Sequence, residues 1–391
     1  MRQSLLDTVA TDLIPGPVLL LSEARARRNI AHMADRAAAA GVRLRPHFKT
    51  HQSAGIGDWF RAAGVSGITV SSIEMGEYFA DSGWRDITIA VPVNVRELGR
   101  IAALAQRVHL EICVDGPAAV VALAARAPWT SLAVWVEIDV DYHRTGVPAD
   151  DQGQVVRLLQ RLDAVAGIQA AGILTHAGNA YGMPSVDAIG VAGSDSRASM
   201  KRLRDAVLAS GLRKCAISIG DTPTASIVAD YSPADEIRPG NFVFYDLQQL
   251  RLGSCAEADI AVAVAAPVIS VRPERNEVVV HCGAVHLSKD VIPGNPPIYG
   301  AVARLGLEGW GPLLGNTYVV SLSQEHGKIA MPESALRRTE VGDVLTIIPV
   351  HSCLTASQFD RYLTLEGEWV DTMRIWRRSS QTFPFHGLEG G

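Results

Sequence analysis

The stretch ITIAVPVNVRELGRIAALAQRVHLEICVD, residues 87–115, places a helical pattern between the apolar runs ITIAVP (87–92) and VHLEICVD (108–115). Near-continuous apolar strands separated by helices are typical of parallel strands buried on both faces. Eight such units predict a (β/α)8 TIM-type barrel, in which functional groups collect at the C-terminal ends of the strands. The other six runs are VRLRPHFKT (42–50), GITVSS (67–72), LAVWVEIDV (132–140), IQAAGILTHAG (168–178), CAISIGDTPT (215–224) and EIRPGNFVF (236–244).

After about residue 250 the pattern changes to closely spaced strands with Gly, Pro and Asn breaks and little helical periodicity. ADIAVAVAAPVISVRPERNEVVVHCG, NTYVVSLSQEHGKIAM and VGDVLTIIPVHSC are the clearest examples. The sequence therefore predicts two domains, a barrel over residues 1–250 and a β-rich domain over residues 251–391. The opening strand PVLLL (17–21) could join the β-rich domain, and Ser22 is a plausible N-cap of the helix that follows it.

Composition excludes several classes of protein. The 391 residues carry a net charge of −5 and no long basic run, which argues against a nucleic-acid partner. No apolar stretch reaches the roughly 18 residues of a membrane span. The opening MRQSLLDTVATDLIPG carries acids and lacks the apolar core of a signal peptide. The five cysteines form no CxxC pair, so we expect reduced thiols and a cytoplasmic protein.

A rare lysine, one of five in the chain, lies in RLRPHFKTHQS (43–53) at the predicted end of the first barrel strand. Lys49 could lose its proton if it is buried near cations, and the free amine could then form a Schiff base with a carbonyl; an arginine could not. Arg45, His47 and His51 would share its strand face by two-residue alternation and, if charged, lower its pKa. The alternative is a lysine that reaches solvent.

Two turns predict a phosphate site opposite Lys49. SIGDTPT (218–224) and RPGN (238–241) end the seventh and eighth strands, where barrel enzymes often hold a phosphate. Each alone could be an ordinary turn, but together with the lysine they indicate a phosphate-bearing aldehyde such as pyridoxal phosphate. The candidate groups are the flexible backbone of Gly220, the hydroxyls of Thr222 and Thr224, and the backbone amides of Gly240 and Asn241.

The fifth and sixth strands end in two further candidate segments. DVDYHRTGV (139–147) carries Arg144, which could face the pyridine nitrogen and keep it unprotonated, or could form a salt bridge within its loop. THAGNAYG (175–182) carries His176, a candidate to stack on or hydrogen-bond the cofactor, and Tyr181, a candidate to act on the substrate. A structural histidine and a packed tyrosine are the alternatives.

The β-rich domain holds a candidate metal pair in IIPVHSCLT (347–355). His351 and Cys353, two apart on a predicted strand, would point the same way, and two protein ligands leave open positions for a Lewis acid. A lone HxC is a weak signal. SQEHG (323–327) adds the polar residues Glu325 and His326, whereas HCGAVH (281–286) is a disfavoured rival because its adjacent His and Cys would face opposite sides.

With these motifs the chain resembles the fold-type III pyridoxal-phosphate enzymes of the metal-dependent D-serine dehydratase and D-threonine aldolase family. RPHFKTH is similar to the Schiff-base segment, HRTGV to the pyridine-contacting segment, and THAG with Tyr181 to the substrate-side loop. GDTPT and RPGNFVFYD are similar to the phosphate cradle, and SQEHG and HSC to the C-terminal signature and metal site. Two residues depart from the family pattern: Asp221 replaces a small neutral residue, and Val350 replaces an asparagine.

The resemblance implies an alanine racemase-like homodimer with the cofactor on the barrel and the metal on the β-rich domain. It implies that Lys49 binds pyridoxal phosphate and then acts as general base, with Arg144, His176, Tyr181 and the two turns around the cofactor. The His-x-Cys pair of this chain resembles the metal pair of the zinc-dependent dehydratases rather than the His-x-Asp pair of the aldolases. Zinc, or another divalent ion such as Mn²⁺ or Mg²⁺, is therefore expected on His351 and Cys353.

The expected activity is dehydration of a small D-β-hydroxy amino acid to a 2-oxo acid and ammonia. Retro-aldol cleavage to glycine and an aldehyde is the alternative. A racemase is disfavoured because racemisation needs no metal, and a non-catalytic pyridoxal-phosphate carrier is disfavoured by the whole β-rich domain. The natural substrate and the roles of His47, His51 and His326 are left open by the sequence.

Overall fold

The structure is a computed structural model that describes residues 14–306 and 309–380 of the chain. Residues 1–13, which hold most of the opening segment in which no signal peptide was expected, lie outside the described residues. The first part of the chain alternates strands and helices. Its elements are β1 Val18–Leu21, α1 Glu23–Ala39, β2 Arg43–Leu44, α2 Ala54–Ala62, β3 Ile68–Val70, α3 Ile73–Asp81, β4 Asp86–Pro92, α4 Leu98–Ala105, β5 His109–Val114, α5 Pro117–Ala125, β6 Leu132–Asp139, β7 Val147–Pro148, α6 Gln152–Asp163, β8 Ile168–Thr175, α7 Val186–Ala209, β9 Ala216–Ile219, α8 Thr222–Ile227, β10 Glu236–Ile237 and α9 Leu247–Arg251.

The second part is mostly strands with short helices between them. Its elements are β11 Val262–Arg272, β12 Glu277–His281, α10 Ala284–Leu287, β13 Gly300–Gly306, β14 Gly309–Leu322, β15 His326–Ala330, α11 Glu333–Leu336, β16 Val344–Pro349, α12 Ser352–Ala356, β17 Arg361–Thr364, β18 Trp369–Asp371 and α13 Met373–Ser380. Among the described residues, no helix combines the length and the apolar character that crossing a membrane requires.

The eight predicted strands form the barrel. β2, β3, β4, β5, β6, β8, β9 and β10 pair in parallel in chain order, and a bridge between His47 and Thr69 joins the two ends of the sheet. This confirms the (β/α)8 prediction. β2 is only two residues long, because Pro46 cannot continue a strand ladder and residues 48–51 turn instead.

Most barrel helices begin at a capping residue that the sequence supplies. The side chain of Ser22 accepts a hydrogen bond from the backbone N–H of Arg25 at 3.4 Å, so its prediction as an N-cap is confirmed. Ser53, Ser72, Asp151 and Ser185 cap α2, α3, α6 and α7 in the same way.

The second domain is built on nine strands in the order β12-β15-β14-β13-β16-β11-β1-β17-β18. An additional antiparallel pairing of β11 with β12 closes β11–β16 into a ring. The opening strand β1 pairs antiparallel with β11 and parallel with β17, so it lies in this second sheet rather than in the barrel. The chain thus begins in the second sheet with β1, forms the barrel, and returns to the second sheet at β11.

The turn after β2 docks directly on the second domain. The Tyr362 hydroxyl donates to the carbonyl of His51 at 2.7 Å, and the backbone N–H of Met373 donates to the carbonyl of Gln52 at 2.7 Å. Thr50 Oγ1 lies 3.2 Å from the thiol of Cys353. These contacts bring Lys49, at the barrel rim, beside the candidate metal pair of the other domain.

At the opposite end of the barrel, Arg45 is fully buried in an ion-pair cluster. Its guanidinium lies 2.9 Å from Glu236, 2.7 Å from Asp86 and 3.5 Å from Glu111. Burial alone would lower the pKa of Arg45, but these carboxylates raise it above its ordinary value. Asp86, Glu111 and His109 are grouped closely enough to suggest a metal site, but the Arg45 guanidinium already neutralises the two carboxylates.

We expect Arg45→Met to lower the free energy of unfolding by about 3 kcal/mol, because it removes the buried counter-charge of Glu236 and Glu111, which the half-exposed Arg43 and His109 replace only in part. Urea-induced unfolding measures the change. Arg337→Met is the matched control, since it removes an arginine from an exposed pair with Glu333 and should cost less than about 1 kcal/mol. Equal unfolding midpoints for Arg45→Met and the wild type would contradict this role.

Candidate active site

A cavity of about 670 Å³ opens at the C-terminal ends of the barrel strands and extends to the second domain. This is the edge at which barrel enzymes place their chemistry. The structure brings nine of the predicted site residues to its wall: Lys49, Arg144, His176, Tyr181, Thr222, Gly240, Asn241, His351 and Cys353. Gly220 lies behind His176, whose Nδ1 donates to its carbonyl at 2.5 Å.

Lys49 is mostly removed from solvent at the cavity wall. Burial is the main cause that lowers the pKa of its amine, and Arg144 and Arg238 lower it further, while Cys353 acts in the opposite direction. The amine therefore loses its proton more readily than an ordinary lysine, as a Schiff-base lysine or general base requires. Arg238, which the sequence analysis did not single out, is one of the two nearby cations that act on it.

The expectation that Arg45, His47 and His51 share a strand face with Lys49 is wrong. Arg45, which precedes the turn, pairs with Glu236 at the opposite end of the barrel, and His51, which lies within the turn, packs among aromatic rings. The His51 ring lies 4.4 Å from Phe48, and burial lowers the pKa of His51 to about 3. His51 is a neutral packing residue.

His47 is the one of these three that reaches the cavity. Its Nδ1 accepts a hydrogen bond from the backbone N–H of Lys49 at 3.4 Å. Burial, followed by the charges of Lys49 and Arg238, lowers the pKa of His47 well below its ordinary value. The neutral ring therefore orients the backbone of Lys49 rather than adding a charge beside its amine.

The two predicted turns meet at the hydroxyl of Thr222. It accepts hydrogen bonds from the backbone amides of Asn241 at 3.0 Å and Gly240 at 3.3 Å. A Cβ on Gly240 would lie 2.9 Å from the Cβ and the carbonyl oxygen of His47, so only glycine permits this approach. Thr224 points elsewhere, with its methyl group packed against Gly193 of α7.

Asp221, the residue that departs from the family pattern, is the N-cap of α8. Its carboxylate accepts from the backbone N–H of Thr224 at 2.6 Å. Burial raises the pKa of Asp221 to about 6, although Thr224, Arg197 and Arg238 oppose the change. The carboxyl group of Asp221 is therefore held by α8, but it still loses its proton near neutral pH and places a negative charge at the cavity wall.

In the described structure no salt bridge joins Arg144 to Asp139 or Asp141 of its own loop. Asp139 instead accepts from the backbone N–H groups of Tyr142 at 2.9 Å and His143 at 3.0 Å, which fixes the loop. The Arg144 guanidinium lies over the Tyr142 ring at 5.2 Å and lines the cavity. This leaves Arg144 free to meet a ligand.

His176 and Tyr181 are both neutral groups in this wall. Burial and the charges of Lys49 and Arg144 lower the pKa of His176 to about 3. Burial raises the pKa of Tyr181, whose hydroxyl accepts from the backbone N–H of Thr222 at 3.4 Å. A protonated hydroxyl at this place can donate to a ligand while it accepts from the backbone of the turn at Thr222.

The candidate metal pair lies at a junction rather than on a strand. β16 ends at Pro349, His351 is the residue before α12, and Cys353 lies in the first turn of that helix. The predicted strand alternation is therefore wrong, although both side chains reach the cavity. Burial opposes a charge on each residue, yet Cys353 raises the pKa of His351 to about 9 and His351 lowers the pKa of Cys353.

Behind the pair is a buried carboxylate that the sequence analysis missed. Asp246 accepts from the backbone N–H of Ser352 at 2.9 Å and from the side-chain amide of Asn241 at 2.7 Å, and it lies 3.7 Å from Nδ1 of His351. Such a carboxylate orients a metal-binding histidine. The sequence signal for Asp246 was its position as the acid at the end of RPGNFVFYD, a segment that the sequence analysis assigned to phosphate binding.

The other polar candidates lie elsewhere. Glu325 and His326 do not line the cavity, and His326 faces His281 across strands β15 and β12. Within the described ranges, no set of three potential metal ligands forms at His281 and Cys282. The disfavoured rival cluster therefore gains no support.

Comparison with known proteins finds a matching family model for each of the two parts of the chain that line the site. Residues 21–248 match the alanine racemase N-terminal domain, and residues 261–365 match the putative serine dehydratase domain. D-threo-3-hydroxyaspartate dehydratase from Delftia sp. (strain HT23) is 35% identical over 95% of this chain and 98% of that protein. The chain belongs to the D-serine dehydratase and D-threonine aldolase family of fold-type III pyridoxal-phosphate enzymes.

Other members of this family match over similar lengths. D-serine dehydratase from Dictyostelium discoideum is 30% identical over 90% of this chain and 93% of that protein. The solved structure of the Delftia dehydratase has a TM-score of 0.84, at 34% identity over 91% of this chain and 97% of its own. D-threonine aldolase from Filomicrobium marinum has a TM-score of 0.77, at 25% identity over 92% of this chain and 98% of its own.

The family implies pyridoxal phosphate, and the cavity residues fit it. The Thr222 hydroxyl, on which the backbone amides of Gly240 and Asn241 converge, lies at the cavity wall and would hold the phosphate. The readily deprotonated Lys49 faces the same space for the aldehyde. An imidazole and a thiolate are also the donors that a divalent metal such as zinc prefers.

We expect Asp221→Asn to tighten pyridoxal-phosphate binding. An asparagine still caps α8, but it lacks the negative charge that Asp221 acquires as the pH rises through about 6. Wild-type affinity should therefore fall relative to the variant between about pH 5 and pH 8, by roughly tenfold at the upper end. Spectroscopic titration of the cofactor-free proteins measures both dissociation constants.

The phosphate of the cofactor titrates in the same range, so the ratio of the two affinities at each pH is the quantity to compare. Asp221→Ala is the control, because it removes both the charge and the cap. A ratio that stays constant with pH would contradict the assignment.

Proposed function

We propose that this enzyme removes water from D-configured β-hydroxy amino acids of the serine, threonine or 3-hydroxyaspartate type, giving a 2-oxo acid and ammonia. The observation that carries the proposal is that Lys49 and the His351–Cys353 pair line one cavity, joined by the 3.2 Å contact of Thr50 with Cys353. The names of the similar proteins, which include two kinds of dehydratase, support it.

Lys49 supplies the proton transfer. Its amine, whose pKa burial and two arginines lower, would bind the cofactor and then remove the Cα proton of the substrate as general base. Pyridoxal phosphate, when bound, supplies the electron sink that makes this proton acidic. His47 holds the Lys49 backbone, and Arg144 would meet the ring nitrogen of the cofactor.

His351 and Cys353 would hold zinc or another divalent ion such as Mn²⁺ or Mg²⁺, which supplies a Lewis acid for the departing β-hydroxyl. Asp246, 3.7 Å from His351 Nδ1, would help to position that ring by its charge, while Thr50 and Asn241 contact the Cys353 sulfur at 3.2 Å and 3.5 Å. Tyr181 keeps its proton, so it can donate a hydrogen bond to the substrate or the cofactor. The homodimer and the cytoplasmic location expected from the sequence belong to this proposal.

Supplied with D-threonine, the enzyme loaded with cofactor and metal should release 2-oxobutanoate and ammonia. The relatives include aldolases, and the same site could instead cleave the Cα–Cβ bond. Coupled assays for the 2-oxo acid and for glycine measure both products. Glycine as the dominant product would replace dehydration by the aldolase reaction. Cofactor binding without turnover, unchanged by a chelator, would indicate a carrier.

Lys49→Ala should lower dehydration by more than about 100-fold, because it removes the general base. After borohydride reduction of the wild type, mass spectrometry should find the cofactor on the peptide that contains Lys49. Lys289→Ala is the matched control, since it removes an exposed lysine close to the cavity residue Asp290. Labelling of another lysine in the wild type would overturn the assignment.

A further inference from the structure

The cavity wall contains a second acid, Asp290, in the segment between α10 and β13. Its backbone N–H donates to Ser288 Oγ at 3.2 Å, which fixes the turn. Its carboxylate has no hydrogen bond or salt bridge within the described part of the chain. It is one of the charges that act on His351, so it lies on the metal-pair side of the cavity.

Asp290 is not a ready third ligand for the metal pair. Within the described ranges, the only set of three potential ligand groups that lie within 4.8 Å of one another is at Asp86, His109 and Glu111, far along the chain from His351. The Asp290 charge must therefore be considered as part of the substrate's surroundings.

The neighbouring wall is apolar. Val91 and Pro92, at the end of β4, line the barrel side of the cavity. Val291 and Leu354 line the second-domain side and are 40% and 46% exposed, so they lie at the mouth. A methyl group fits such a wall, whereas a carboxylate loses hydration there without gaining a partner.

The cationic side chains of the wall already have other partners or proposed roles. They are Lys49, Arg144, Arg238 and His351. Arg238 donates to Ser218 Oγ at 2.7 Å and to the carbonyl of Thr175 at 2.5 Å. Lys49 and Arg144 are assigned to the cofactor, and His351 to the metal. A second carboxylate on a substrate would thus meet Asp290 without an uncommitted cationic side chain among the described lining residues, and the metal proposed at His351 is assigned to the β-hydroxyl.

We infer that this site selects β-hydroxy amino acids with uncharged side chains, such as D-serine and D-threonine, over 3-hydroxyaspartate, and that Asp290 determines the selection. The inference rests on the proposed function and narrows its substrate class. It separates this chain from the Delftia relative, whose name identifies a dicarboxylate substrate.

The test compares ligands that differ by one carboxylate. D-alanine and D-aspartate lack the β-hydroxyl and cannot be dehydrated, so spectral titration of the holoenzyme gives their dissociation constants without turnover. The wild type should bind D-alanine more tightly. Asp290→Asn should shift the affinity ratio toward D-aspartate by about tenfold, the scale of one like-charge pair in a partly exposed cavity.

High salt and two further variants distinguish an effect of the Asp290 charge from an effect of a changed structure. The shift should shrink at high salt, because screening weakens the repulsion. Asp290→Glu keeps the charge and should keep the wild-type preference. Asp195→Asn removes the same charge from an exposed position on α7, outside the cavity, and should change nothing.

The values of kcat/KM for D-serine and D-threo-3-hydroxyaspartate should follow the binding ratio. A wild type that prefers the dicarboxylate, an unchanged ratio in Asp290→Asn, or an equal loss for both ligands would each overturn the inference. Failure of the proposed function would look different, because no 2-oxo acid would form from either substrate while the ratio of the two binding constants could still be measured.

Discussion

The contact on which the active site depends is the docking of the turn at residues 48–52 on the second domain. A tight turn leaves backbone carbonyls without partners, and buried carbonyls need donors. The Tyr362 hydroxyl, from strand β17, and the Met373 N–H, at the start of helix α13, supply them to His51 and Gln52. The same docking brings Thr50 against Cys353, so the lysine of one domain and the metal pair of the other line a single cavity.

Patterns local in the chain predicted most of this arrangement. The eight apolar runs gave the barrel, and glycines and threonines at strand ends marked the turns around Thr222 and Gly240. The error at His51 arose because the strand ends at Pro46 and the chain then turns, so the two-residue alternation no longer applies. The error at Arg45 has another cause, since its carboxylate partners Glu236 and Asp86 lie at the opposite end of the barrel. Arg238 and Asp246 were missed for another reason: their roles depend on partners such as Thr175 and Ser352, which only the folded chain brings to them.

Charge in the cavity is divided between fixed cations and two acids with different surroundings. Burial and two arginines favour the neutral amine of Lys49, at the cost of holding Arg238 away from water. The Asp221 carboxylate accepts a hydrogen bond from the backbone amide of Thr224, so its charge is fixed at the start of α8. Among the described residues the Asp290 carboxylate has no such partner, so its charge is available to a substrate that enters from the mouth of the cavity.

The surroundings of Cys353 bear on the proposed metal pair. Its sulfur is contacted by Thr50 and Asn241, and the Asn241 amide is held in turn by Asp246 and Ser352. An aspartate at this position would bring a charged oxygen pair into a space already filled by that network, and buried polar groups that lose a partner are costly. The thiol of Cys353 is therefore part of the packing between the domains, so Cys353→Asp alone would disturb these contacts rather than simply exchange one proposed metal ligand for another.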